Sequence, residues 1–163
     1  MYQISHLVQL RDILIKKRDA HYKASNYYSI NNAHHICVIL KDGVPISYGI
    51  NNYTPNKTFI EHAEAHAFRK LMKHIDKSSK RIKIDIFVVK TNGCNSKPCN
   101  RCINQMISYN NLFNIRNIYY TTKDEIIGIR CIKFSKLIHE ERHYCSYDKN
   151  IRYEMKTHNK ITK

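Results

Sequence analysis

Only three residues, Lys123-Asp124-Glu125, separate the strand-like run "IRNIYYTT" from a second one, "IIGIRCIKF". A spacer that short cannot cross over a sheet, which makes the two runs antiparallel neighbours. Residues 5–22 carry Leu7, Val8, Leu10, Leu14 and Ile15 at the steps of an amphipathic helix, with Ser5 available as its N-cap. "HHICVILKDGVPISYGIN" places two apolar runs around Asp42-Gly43, the pattern of a β-hairpin. "TFIEHAEAHAFRKLMKHI" spaces Phe59, Ala63, Ala67, Leu71 and Ile75 four apart and predicts a helix capped by Thr58. "RIKIDIFVVK" alternates Ile82, Ile84, Ile86 and Val88 as a strand does. Pro98 suits the first turn of a helix through "CNRCINQMISY". The order α-β-β-α-β-α-β-β predicts an α/β fold with a single mixed sheet of about five strands and helices packed on it.

Composition narrows the setting. A chain of 163 residues without repeats or a Pro/Gly/Ser-rich linker reads as one domain, large enough for a proper core. No apolar run is long enough for a membrane span, so no membrane partner is expected. The first residues, "MYQISHLVQLRDILIKKRD", scatter charge throughout and lack the pattern of a secretory signal. Six cysteines in that context point to a reducing, cytoplasmic setting, where thiols serve as metal ligands or core residues. The net charge of +15 invites a polyanion partner, but a Lys-, Asn- and Ile-rich chain is also what AT-rich codons encode. A small anionic substrate such as a nucleotide would be steered by the same field.

Two pairs of residues carry the chemistry. His62 and Glu64 open the second predicted helix, and Cys99 and Cys102 open the third. One His with two Cys supplies three ligands and leaves the fourth tetrahedral position of a zinc ion for water, the open arrangement of a catalytic site. Cysteines at a helix N-terminus face the positive end of its dipole, which favours the thiolate that binds metal. Glu64 lies two residues past the His ligand, near enough to exchange protons with such a water without itself binding the metal. A C-x-x-C alone would equally suit a redox pair or half of a structural zinc knuckle.

His62-Ala63-Glu64 followed by Pro98-Cys99-Asn100-Arg101-Cys102 resembles the signature of the zinc-dependent cytidine/deoxycytidylate deaminase superfamily. The resemblance implies a three-layer α/β/α fold with a mixed five-stranded sheet, and Zn2+ held by His62, Cys99 and Cys102. It implies that Glu64 passes protons while ammonia leaves an amidine-like ring carbon. The closely spaced last two strands resemble the cytidine deaminase branch, where they are antiparallel. In the adenosine-deaminating and polynucleotide-editing branches a helix intervenes and they run parallel. Small tetrameric cytidine deaminases usually have Cys where this chain has His62, and carry an Asn-x-Glu that grips the ribose. Here Asn51 matches the Asn and Tyr53 stands in place of the Glu. Asn51, Tyr53 and Pro98 are therefore the expected substrate contacts. The zinc domain is expected over residues 1–139, with residues 140–163 a basic C-terminal helix or tail, and the family resemblance implies a homo-oligomer.

Other residues have plainer readings. Cys94 is either a loop thiol or a fourth ligand, and Cys37 and Cys131 fall in strands as small core residues. Cys145 is incidental. His66 shares a helix face with His62, but Ala63 occupies the Glu position a metalloprotease needs, leaving His66 on the surface or behind a ligand. Tyr27-Tyr28 and Tyr119-Tyr120 either stack bases or pack, and Lys97 and Arg101 either meet phosphate or sit in solvent. The expected activity is conversion of cytosine to uracil in a free nucleoside or nucleotide. The alternatives are base editing within RNA or DNA, or a deaminase-fold protein that binds nucleic acid without catalysis.

Overall fold

The computed structural model describes residues 4–24, 35–53, 60–75, 81–90, 95–123 and 128–141. The N-terminal periodicity becomes α1 (Ile4–Ala24). It takes in Ser5, which lies inside the first turn and not at the cap. The hairpin forms as β1 (His35–Lys41) and β2 (Val44–Ile50). Both of its turn residues take positive φ, Asp42 at 49° and Gly43 at 86°, as the tight turn that matches strand twist requires. Two short strands follow, β3 (Asn52–Tyr53) and β4 (Ile60–Glu61), paired only with each other.

The helix expected from Phe59 to Ile75 is shorter: α2 spans Ala63–Leu71. Its predicted first turn is taken by β4, and Thr58 lies outside the described residues. After it come β5 (Ile82–Lys90), α3 (Asn100–Ser108), β6 (Phe113–Thr121), β7 (Ile129–Lys133) and the single turn α4 (Phe134–Leu137). The run expected as one strand to Phe134 therefore ends at Lys133, where α4 begins.

The five long strands form one mixed sheet in the order β2-β1-β5-β6-β7. β5 and β6, joined through α3, are parallel, and β6 and β7 are antiparallel as the short connection demands. β5 is buried on both faces, sending Ile84, Ile86 and Val88 one way and Phe87 and Val89 the other. On the second side Leu7, Leu10 and Leu14 of α1 cover Ile36, Val38, Leu40 and Ile129. On the first, α2, α3 and α4 contribute Phe68, Met106 and Leu137 to a core with Ile39, Phe113 and Tyr120. Three layers result, helix on sheet on helices.

Where β5 and β6 lose register between Ile84 and Ile86, the buried Asp85 carboxylate fills the gap. It accepts hydrogen bonds from the Asn117 backbone and side chain and from Arg116. Among the described residues no helix is long and apolar enough to cross a membrane. The predicted basic tail falls almost wholly on residues 142–163, outside the described residues.

Candidate metal centre and active site

The start of α2 is set by the neighbouring edge strand. His62 is the N-cap residue, with extended backbone (φ −70°, ψ 154°), yet its side chain makes no capping bond. The cap comes from Asn51, whose Oδ1 accepts the Ala63 N–H at 2.8 Å. The His62 imidazole is thereby released to face across the site. Three more contacts clamp α2 to β2. The Ser47 hydroxyl donates to the Ala67 carbonyl at 2.8 Å, and His66 Nδ1 lies 3.0 Å from the Ile50 carbonyl. At Gly49 a Cβ would fall 2.2 Å from the Ala63 carbonyl oxygen and 2.4 Å from the Ala67 nitrogen, so only glycine lets the helix approach. His66 is buried behind the site, not on the helix surface, and burial lowers its imidazole pKa.

The start of α3 is anchored differently. Cys99 is its N-cap residue (φ −73°, ψ 165°), so Pro98 precedes the helix by two positions and does not lie in its first turn. Pro98 is buried, and its fixed φ shapes the entry. Ser96, 1% exposed, plugs the gap where β5 and β6 part. Its hydroxyl donates to the Val88 carbonyl at 2.7 Å and accepts the Thr121 N–H at 2.8 Å. Its own N–H donates to the Thr121 carbonyl. Lys97 pairs with Glu140 just past α4, tying the C-terminal turn to the same loop.

These two anchors bring the predicted ligands together. His62 Nδ1 lies 3.1 Å from Cys102 Sγ and 3.4 Å from Cys99 Sγ, and the two sulfurs are 3.6 Å apart. For ligand bonds of about 2.0–2.3 Å, tetrahedral geometry asks for separations of about 3.3–3.8 Å between donors, which the two pairs involving Cys99 meet and the His62–Cys102 pair undershoots slightly. The donor set is one imidazole and two thiols, and all three atoms fall within 4.8 Å of one another. The donor chemistry of these residues fits a zinc ion.

The cluster also sets its own charge. The hydrogen bond from Cys102, with further help from His62, holds the Cys99 thiol well below its ordinary value. Cys102 is pushed up by the same contact and by burial. The contact with Cys99 raises His62, against the opposing effect of burial. The N-termini of α2 and α3 both open at this corner, and the positive ends of their dipoles favour negative charge there. Glu64, on the first turn of α2, is 6% exposed. Burial raises its carboxyl, with the Cys99 charge adding to the effect, while the nearby His62 and a hydrogen bond from Cys102 act against it.

The remaining sequence candidates divide. Tyr53 has its backbone in β3, and its side chain, like Cys94, Cys145 and Tyr27-Tyr28, lies outside what is described. Tyr119 and Tyr120 are buried in the two cores, which leaves them packing rather than stacking on bases. Cys37 is a core residue as expected, but Cys131 is exposed. It sits on edge strand β7. Arg101 is exposed. Sequence reasoning missed Ser47, Gly49 and Ser96, and for Asn51 it missed the capping role. Their only signals were a glycine inside a strand run and a serine just before a Pro-Cys pair.

A family model described as the cytidine and deoxycytidylate deaminase zinc-binding region matches residues 16–122. No curated protein matches the chain. Similar solved structures include the dCMP deaminase of cyanophage S-TIM5 in apo form, 20% identical over 74% of this chain and 93% of that one, with a TM-score of 0.44. The same enzyme in complex with dCMP and dUMP is 16% identical over 83% and 94%, with a TM-score of 0.46. The cytidine deaminase of Mycobacterium leprae is 17% identical over 79% and 97%, with a TM-score of 0.44.

Proposed function

This chain belongs to the cytidine and deoxycytidylate deaminase family, and on that premise we propose that it hydrolyses cytosine to uracil in a free nucleoside or nucleotide. Cytidine, deoxycytidine and their monophosphates are the candidate substrates. One observation carries the reading: His62, Cys99 and Cys102 converge on one point with Glu64 buried beside them. The antiparallel pairing of β6 and β7 supports the branch that acts on free nucleosides.

His62, Cys99 and Cys102 would hold the zinc, and when bound the ion supplies Lewis acidity that brings the pKa of water near neutrality. Glu64 is then the proton carrier. Its carboxylate takes one proton from the attacking water and gives it to the ring nitrogen, then takes the second from the hydroxyl formed on C4 and gives it to the departing amine. The bond between water oxygen and C4 forms, the C4–N4 bond breaks, and ammonia leaves. Burial suits Glu64 to this work, because a raised carboxyl pKa lets it hold a proton between the two transfers. Asn51, Pro98 and Tyr53 are the proposed substrate contacts, with Asn51 placed at the start of α2 by its bond to Ala63. A cytoplasmic setting fits the free thiols of the centre.

The net charge of +15 favours one second reading, the same reaction on a base within RNA or DNA. Ammonia release from cytidine, deoxycytidine, their monophosphates and RNA or DNA oligomers separates the two. Glu64→Gln should lower kcat by about 10²–10⁴-fold while leaving zinc bound. Full activity in that variant would overturn the mechanism. Turnover of oligomers alone would transfer the reading to polynucleotides, and zinc binding without any turnover would leave a binding protein.

A further inference from the structure

A cleft of about 370 Å³ lies between α1, the β1–β2 edge of the sheet and α2. It is distinct from the metal centre, since none of His62, Glu64, Cys99 or Cys102 lines it. Its volume is within the range of small-ligand pockets. The inner wall is apolar, formed by Leu14 of α1 with Ile36 and Ile50 of the sheet. The rim is cationic and aromatic. Lys70 of α2 places its Nζ 4.1 Å from the centroid of the Tyr48 ring, and Lys17 of α1 lies 6.0 Å from the same ring.

Among the described residues, neither lysine forms an ion pair with a carboxylate, and no acidic side chain lines the cleft. Two ammonium groups thus converge on one aromatic ring at the mouth of an apolar pocket. Tyr48 is itself 50% exposed, so its ring is open to a ligand at the rim. An anion at the rim would relieve the repulsion between the lysines, and a planar apolar body would fill the wall behind it.

We propose that this cleft is a second ligand site, which binds a small anion carrying an aromatic ring, either a carboxylate or a phosphate monoester. The site touches the metal-bearing helix. His66, which lines it, is one turn beyond His62 on α2. The ring signals of His66 therefore report occupancy without any reliance on catalysis.

The test uses the zinc-loaded full chain and three probes: anilinonaphthalene sulfonate, benzoate and phenyl phosphate. Anilinonaphthalene sulfonate should bind saturably, shift the His66 ring resonances, and be displaced by the other two. The tighter competitor identifies the preferred anion. Lys17→Glu combined with Lys70→Glu should weaken binding by about tenfold or more. Ala20→Trp, at an exposed position on the rim, should block the cleft while leaving circular dichroism and zinc content unchanged. Absence of saturable binding would overturn the proposal. So would binding that survives at parental strength in both variants, or that leaves the His66 signals unmoved.

Discussion

α2 reaches the metal centre from the edge of the sheet and α3 reaches it from the middle, and their anchors differ accordingly. At the edge, β2 has a neighbour on one side only, so its own residues and the one just after it fasten the helix. Ser47, Asn51 and the backbone of Ile50 bond to α2, and Gly49 removes the atom that would hold it off. In the middle, two parallel strands part at their ends and leave backbone groups unpaired. There the loop itself supplies the plug, with Ser96 bridging Val88 and Thr121. Edge anchoring depends on close approach between surfaces. Central anchoring depends on satisfying buried polar groups.

The sharpest way to break the edge arrangement is Gly49→Ala. Its methyl group meets helix backbone, not a flexible side chain, so α2 must retreat and take His62 and Glu64 with it. We expect a loss of about 3 kcal/mol or more together with loss of stoichiometric zinc, measured by thermal unfolding and metal analysis. Parental stability and zinc content would refute the close-approach account. Ser96→Ala probes the central anchor. It strands a buried carbonyl and a buried amide, for an expected cost of about 1–3 kcal/mol, and should weaken zinc affinity through the Cys99 loop. An unchanged zinc affinity would show that the loop is held elsewhere.

Asn51→Ala should cost about 1 kcal/mol by uncapping α2, and Asn51→Asp should restore most of it. Equal losses in both variants would count against the capping role. The smallest expected effect concerns pH. Burial holds the His66 imidazole below its ordinary value, so the unfolded chain takes up this proton first. The contribution of His66 to stability is complete above about pH 6.5 and falls as the pH drops through that value toward the lower folded one. The stability difference between the parent and His66→Gln should shrink over that window. A difference independent of pH would mean that His66 titrates alike in both states.

Much of this was readable in the chain because it rests on local pattern. The Asp42-Gly43 turn, the alternation of β5 and the forced pairing of β6 with β7 depend on neighbours in sequence. The three donors that converge were readable as well, since one His and a C-x-x-C, each opening a helix, match the donor set of an open zinc site. The misread boundaries have a common cause. The apolar spacing of the second helix continued through Phe59 and Ile60, but pairing with Asn52 and Tyr53 claimed Ile60 and Glu61 for a strand. Glu61 then bonds Arg69 in two places from outside the helix. Cys131 looked like a core residue because strand pattern does not say whether a helix covers that end of the sheet.

By itself, the sequence determined the donor set, one His and two Cys of the kinds that bind zinc, and that each pair opens a helix. Local spacing and side-chain basicity suffice for that, and neither needs a partner distant in the chain. Tertiary structure alone decided how Nδ1 of His62 comes within 3.1 Å of a sulfur forty residues later. That distance is set by Asn51, Gly49 and Ser96. Their importance comes from the surfaces they meet, because a missing methyl group or a buried hydroxyl acquires its energy only when another part of the chain arrives against it.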